Sequence, residues 1–326
     1  MAKVGGPKDF WNTIKSVSIN EIAREADRPL EIALIGSEAS CREAQAALGI
    51  VSIRSYRGMS EEDGFPQMPG IYDFVIVLDG DTLGAPGGIP LYSTELLGGW
   101  EATLERILED RPDLHLTMAR RFTVFRKPVV NRIIQQTASA NAQFSLITGV
   151  TSAFPILSVF LPVNALSDVI ILTKNQIMMT LKIAAVYGLP IDYQSRMKEI
   201  IPLIGNAVGW RAIARELTGA IPFIGFAAKA SIAYAGTVTI GKAAAVYYET
   251  GQSLTSTQAR RLYGEAYAAS KEKVKALVGS LKRNKQLSPD RTQEIVVAPV
   301  LEREPVLLEA TLLEATHSEK DPLISE

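Results

Sequence analysis

Residues 29–48 read PLEIALIGSEASCREAQAAL and largely determine how the first third of the chain folds. The apolar run Ile32–Ile35 is short and ends at Gly36, a pattern typical of a buried strand in a parallel sheet. A helix is predicted to follow over residues 42–48, where apolar positions recur at helical spacing. A strand, a glycine and a helix in this order indicate the start of an α/β layer.

The same alternation continues on both sides of this segment. Upstream, Ser18 and Glu21 form a capping box that predicts a helix over residues 19–26. Downstream, strands are predicted over 51–56 and within IYDFVIVLD at 71–79, followed by a helix over 95–109. We therefore predict a small α/β domain over residues 29–118, preceded by an N-terminal helix in residues 1–28.

The segment after Gly36 has the position, but not the residues, of a phosphate-binding loop. Such a loop follows the pattern G-x-x-x-x-G-K-[ST] between a strand and a helix. Here Cys41 stands at the second glycine, Arg42 at the lysine and Glu43 at the hydroxyl residue. A Cβ at position 41 obstructs the tight turn, and Glu43 puts a carboxylate where a hydroxyl should face a phosphate-bound metal. These residues predict a degenerate, P-loop-like domain without tight nucleotide binding, without hydrolysis and without a cofactor.

Composition excludes several other classes of site and partner. Cys41 is the single cysteine, and His115 and His317 are far apart in sequence, so a His/Cys metal site is not expected. Residues 287–326 contain nine acidic and three basic residues, so they carry −6 and the rest of the chain carries +5. An excess of +5 without a clustered basic face does not predict nucleic-acid binding.

From Arg120 onward the chain is predicted to be helical and rich in Ala and Gly. Residues 133–167 form a run of 35 positions without Asp, Glu, Lys or Arg. Within it, 144–163 has the roughly 20-residue length that crosses a bilayer core. Five basic residues precede this run and favour a cytoplasmic N-terminal side, namely Arg120, Arg121, Arg126, Lys127 and Arg132.

Residues 165–187 are predicted to form a helix that ends at Gly188, a natural C-cap after Tyr187. Asp168, Asn175 and Lys182 recur every seven residues and therefore share one side of this helix. They indicate a polar seam against a partner or water, or an ion or ligand contact within a membrane.

Two further helices are predicted over 200–217 and 218–248. Ala227, Ser231, Ala235 and Thr239 form a stripe of small residues in the second of them, which favours close helix packing. Lys229 makes this second helix a less secure membrane span than 144–163, unless it snorkels or pairs with Asp168.

Residues 120–251 resemble the helical domain-of-unknown-function family 697, which is found behind GTPase-like domains in bacteria and in some inner-membrane proteins. The matching positions are Pro155, Pro162, Asp168, Gln176, Met179, Tyr187–Gly188, Trp210, Lys229, Ala235–Gly236 and Tyr247–Tyr248. The resemblance implies a helical, often membrane-associated domain beside an intact or decayed GTPase domain, and it implies no particular reaction. The altered phosphate loop puts any GTP-driven cycle in doubt.

These predictions define an α+β chain with a degenerate α/β domain at 29–118, a helical domain at 119–285 and a disordered acidic tail at 286–326. Three functions are compatible with this organisation. The first is a non-enzymatic, membrane-associated protein on the cytoplasmic face of the inner membrane, with a protein partner that the sequence does not identify. The second is a soluble, cytoplasmic helical scaffold, and the third is a regulatory protein that binds nucleotide weakly.

Overall fold

The computed structural model describes residues 19–49, 55–56, 72–79, 88–153, 165–191 and 226–284. The chain is mostly helical and carries one small parallel sheet in its N-terminal third. This confirms the predicted α+β class in its coarse form. The predicted helix at 200–217 and the acidic tail at 286–326 lie outside the described residues, as do residues 154–163 of the predicted membrane span.

The sheet contains four strands, all parallel, in the order β2-β1-β3-β4. Their bounds are β1 (Ile32–Ile35), β2 (Ser55–Tyr56), β3 (Phe74–Val77) and β4 (Leu91–Ser93). β1 pairs with β3 over its whole length, from Ile32 opposite Phe74 to Ile35 opposite Val77. The strands predicted at 32–35 and within 71–79 are therefore confirmed. β4 has no counterpart among the predicted strands.

Among the described residues, helices pack against the face of the sheet formed by Ile32, Leu34, Phe74 and Ile76, and they lead into the second half of the chain. They are α1 (Ile19–Asp27), α2 (Glu38–Leu48), α3 (Thr94–Leu97), α4 (Trp100–Asp110) and α5 (His115–Arg121), with a 3-10 turn at Pro112–Leu114. The helix predicted at 42–48 begins four residues earlier, because the Ser37 hydroxyl accepts a hydrogen bond from the N–H of Ser40 and caps α2 there. The helix predicted at 95–109 is divided at Gly98–Gly99 into α3 and α4.

Four long helices form the rest of the described chain: α6 (Thr123–Ala153), α7 (Ala165–Val186), α8 (Phe226–Thr250) and α9 (Ser256–Asn284). α8 is the central helix and packs against α6, α7 and α9. The packing is close at Gly241, where an added Cβ would lie 2.6 Å from Cγ1 of Ile134 and 3.1 Å from Sδ of Met179. In the small-residue stripe, Ser231, Ala235 and Thr239 are buried and Ala227 is exposed.

The sheet layer and the long helices share one hydrophobic core. Leu48 at the end of α2 and Phe125 in α6 both belong to it, and α1 and α5 pack against α7. The predicted domain boundary between 118 and 119 lies within α5. Within the described part of the chain, no helix combines the length and apolar character needed to cross a membrane.

Candidate functional site

The order of the strands points to one place on the sheet where a ligand site is expected. The chain leaves β1 toward β2 on one side and leaves β3 toward β4 on the other, so the direction of winding reverses between β1 and β3. Open α/β sheets bind ligands beyond the carboxyl ends of the strands at such a reversal. Residues 36–37 follow β1 at this edge, and residues 78–79 follow β3. We name the cluster of Gly36, Ser37, Ser40 and Asp79 the switch-point site.

A carboxylate lies directly at the N-terminus of α2 in the switch-point site. Oδ1 of Asp79 accepts a hydrogen bond of 2.8 Å from the N–H of Ser37, and Oδ2 accepts one of 2.7 Å from the Ser40 hydroxyl. The Ser37 and Ser40 hydroxyl oxygens are themselves 2.8 Å apart. A Cβ on Gly36 would lie 2.1 Å from Oδ1 of Asp79, so glycine at this position is what permits the approach.

These contacts favour the ionised form of Asp79. Partial burial raises the pKa of this carboxyl, but hydrogen bonds from Ser40 and Ser37 outweigh the effect, and the net pKa lies below its ordinary value. The carboxylate also faces the positive end of the α2 dipole. The N-terminus of α2 therefore already holds a negative charge, supplied by the protein itself.

The predicted remnants of the phosphate loop are distributed over α2 and the turn before it. Gly36 borders Asp79, whereas Cys41 is buried with its Sγ 3.8 Å from the carbonyl oxygen of Leu34. Arg42 is exposed and pairs with Glu38 at 2.6 Å, and Glu43 is exposed on the same helix. Positions 41–43 thus belong to the helix itself and not to a loop.

Sequence reasoning missed Ser37, Ser40 and Asp79. The signal for Ser37 is present in the sequence, since a serine just before a helical pattern is a strong N-cap residue. Asp79 follows directly on a buried apolar run. Placing it beside α2, however, requires the knowledge that β3 is the neighbour of β1.

A second polar cluster lies inside the helical bundle and includes two of the predicted interaction residues. Nδ2 of Asn175 donates to Oδ1 of Asn141 at 2.7 Å, and Nδ2 of Asn141 donates to Oγ1 of Thr237 at 2.9 Å. Nε2 of Gln176 donates to the same Thr237 oxygen at 3.2 Å. Asn141 and Thr237 are fully buried. The network therefore connects α6, α7 and α8 in the interior of the bundle. The predicted polar seam of α7 contacts α6 of the same chain at Asn175.

Three other predicted residues lie in α7 or directly after it, namely Asp168, Lys182 and Gly188. Burial raises the pKa of Glu25 in α1, and the positive charge of Lys182 in α7 opposes part of this rise. Gly188 adopts φ 79° and its N–H donates to the carbonyl of Ala185 at 3.0 Å, so the predicted C-cap is confirmed. Asp168 lies in α7, but its side chain is outside the described residues.

Tyr187 and Lys229 lie near opposite ends of the bundle. The guanidinium of Arg126 is 5.9 Å from the centre of the Tyr187 ring, at the C-terminal end of α7. Burial raises the pKa of Tyr187, and the charge of Glu249 adds to the increase. Lys229 is exposed in the first turn of α8. Its predicted pairing with Asp168 falls outside the described residues.

Several arginines that precede the uncharged run have partners within the protein. Nη1 of Arg120 donates to the carbonyls of Ala185 and Leu189, at 3.0 and 3.1 Å, and so closes the C-terminal end of α7. Nη2 of Arg121 donates to the carbonyl of Arg28 at 3.1 Å. Arg132 pairs with Glu105. These contacts give the arginines a structural role that is independent of any membrane.

Among the described residues, no group of three or more His, Cys, Asp or Glu side chains could hold a metal ion. Comparison of the chain with protein-family models, with curated proteins and with solved structures finds no match. The resemblance of residues 120–251 to family 697 stays a prediction.

Proposed function

We propose that the chain is a non-enzymatic interaction protein in which a degenerate, GTPase-like α/β domain is joined to a helical domain that binds a membrane or a protein partner. The observation that carries this proposal is the position of Asp79. Its carboxylate accepts hydrogen bonds from the N–H of Ser37 and from the hydroxyl of Ser40. These are the donors that the start of α2 would otherwise present to a bound anion.

Two physical features oppose nucleotide binding at this place. A phosphate next to the ionised Asp79 would be repelled by about 4 kcal/mol at a separation of 4 Å near a protein surface. In addition, β1 ends at Ile35 and α2 begins at Glu38, so residues 36 and 37 are all that connect them. A two-residue turn cannot surround a phosphate as the longer glycine-rich loop does. In this proposal the α/β domain is a scaffold. The switch-point site, where a nucleotide would bind, is occupied by the protein's own side chains.

Titration calorimetry with GTP and with ATP in the presence of Mg²⁺ tests this proposal. We expect no measurable binding and no turnover for the wild-type chain. Arg42→Ala is the informative variant, because Arg42 is the one cation of the loop remnant and lies exposed on α2. Micromolar affinity in the wild type that disappears in Arg42→Ala would overturn the proposal and favour the weak nucleotide-binding regulator.

The helical domain has two candidate roles, and the uncharged run at 133–167 favours membrane association at the cytoplasmic face of the inner membrane. This run is longer than a soluble core helix requires, and the resemblance to family 697 supports the same role. The packing of its described part favours a scaffold instead, because Ala138, Ala142 and Leu146 are buried in the bundle. The two roles differ in whether residues 144–163 enter a bilayer, so an experiment on membrane association separates them.

Extraction of cell membranes with alkaline carbonate separates the two roles. A membrane-associated chain stays in the pellet and is released by detergent, whereas a scaffold is recovered in the supernatant without treatment. Ile156→Asp with Val159→Asp then serves as the variant. It should move a membrane protein into the soluble fraction or cause its degradation. Recovery of the unmodified protein in the soluble fraction would end the membrane hypothesis.

A further inference from the structure

We draw no further inference here: the strongest candidate, the side-chain cluster of Arg126, Tyr187 and Glu249 where the first turn of α6 meets the C-terminal ends of α7 and α8, carries nothing, because the Arg126 guanidinium already lies 5.9 Å from the centre of the Tyr187 ring, the Tyr187 hydroxyl is already hydrogen-bonded to Glu249, and nothing among the described residues shows a path by which a ligand would reach the buried Nε of Arg126.

Discussion

Asp79 accepts hydrogen bonds from the N–H of Ser37 and the hydroxyl of Ser40, and both donors lie at the start of α2. The capping role of Ser37 could be predicted from its place before a helical pattern. The contact with Asp79 could not, because it depends on β3 pairing with β1 across more than 40 residues of sequence. Local rules therefore identify the helix start, and non-local strand pairing determines which side chain meets it.

Replacement of Asp79 by alanine tests how much this contact contributes to stability. The variant leaves two polar groups at the start of α2 without their charged acceptor, and we expect a loss of about 1 kcal/mol in the free energy of unfolding. Ser40→Ala removes one of the two bonds and should lose less. Urea denaturation at neutral pH measures both. Equal stability of Asp79→Ala and the wild type would show that solvent replaces the carboxylate at no cost.

The elements follow the sequence closely where a local signal is strong. α1, β1, β3 and the C-cap of α7 at Gly188 agree with their predicted positions. α2 begins at Glu38 and not at 42, because the Ser37 hydroxyl caps the helix by accepting the N–H of Ser40. In the sequence, the same segment GSEAS resembles the start of a phosphate loop, which favours a later helix start. β4 has three residues and lies beside a glycine-rich segment, so it offers too few positions for alternation to be recognised.

The packing of α8 leads to a paired prediction on two glycines of one helix. A Cβ at Gly241 meets Cγ1 of Ile134 at 2.6 Å, whereas a Cβ at Gly236 has no atom within 4 Å. Gly241→Ala should therefore lose about 1–3 kcal/mol of stability through overpacking. Gly236→Ala should gain up to about 1 kcal/mol, because alanine favours the helix.

Thermal and urea unfolding of the two variants, measured under the same conditions, check the pair. The substitution is chemically identical at both positions, so helix propensity cancels in the comparison. A gain in stability at both positions would show that α6 and α7 move away from α8 at little cost.

At the scale of the whole molecule, the α/β layer and the long helices are held together by contacts between residues distant in sequence. Arg120 links the C-terminal end of α7 to Asp27 at the end of α1, with 3.2 Å between Nε and Oδ1. The polar network of Asn141, Asn175 and Thr237 joins three helices in the same way. The sequence predicted Asn175 as part of a polar seam, but nothing local identifies Asn141 and Thr237 as its partners.

The C-terminal segment should contribute little to this assembly. We expect a chain that ends at Gln286 to lose at most about 3 °C in its melting temperature, because an acidic segment with several prolines contributes little buried surface. Differential scanning calorimetry of the truncated and full-length chains in 0.15 M salt measures the change. A loss of twice that size would show that the segment packs into the hydrophobic core.

An ion cluster that should govern acid stability lies at the other end of β3 from Asp79. Asp113 accepts hydrogen bonds from Nε of Arg111 at 3.1 Å and from Nη1 of Arg28 at 2.9 Å, and Arg28 also pairs with Asp73 ahead of β3 at 3.0 Å. Hydrogen bonds from Arg111 lower the pKa of Asp113 to about 2, against an opposing effect of burial. The cluster thus fixes the turn before α5 to the sheet while Asp113 is ionised.

The direction of the pH dependence follows from this lowered pKa. In the unfolded chain Asp113 takes up its proton near its ordinary pKa of about 3.9, whereas in the folded protein it resists protonation down to about pH 2. The stabilisation from Asp113 is therefore complete above about pH 5 and is lost progressively as the pH falls toward 2. Asp113→Asn should be less stable than the wild type at pH 6, and the difference should shrink steadily between pH 4 and 2.

Glu265→Gln is the matched control, because Glu265 makes an exposed pair with Arg261 one turn away, at 3.6 Å. An exposed pair of this kind contributes little, so its stability curve should run parallel to that of the wild type. Urea denaturation at a series of pH values measures all three curves. If the Asp113→Asn and wild-type curves stay parallel down to pH 2, the cluster does not tie acid stability to Asp113, and the turn before α5 is held by its apolar contacts through Leu114 and Leu116 instead.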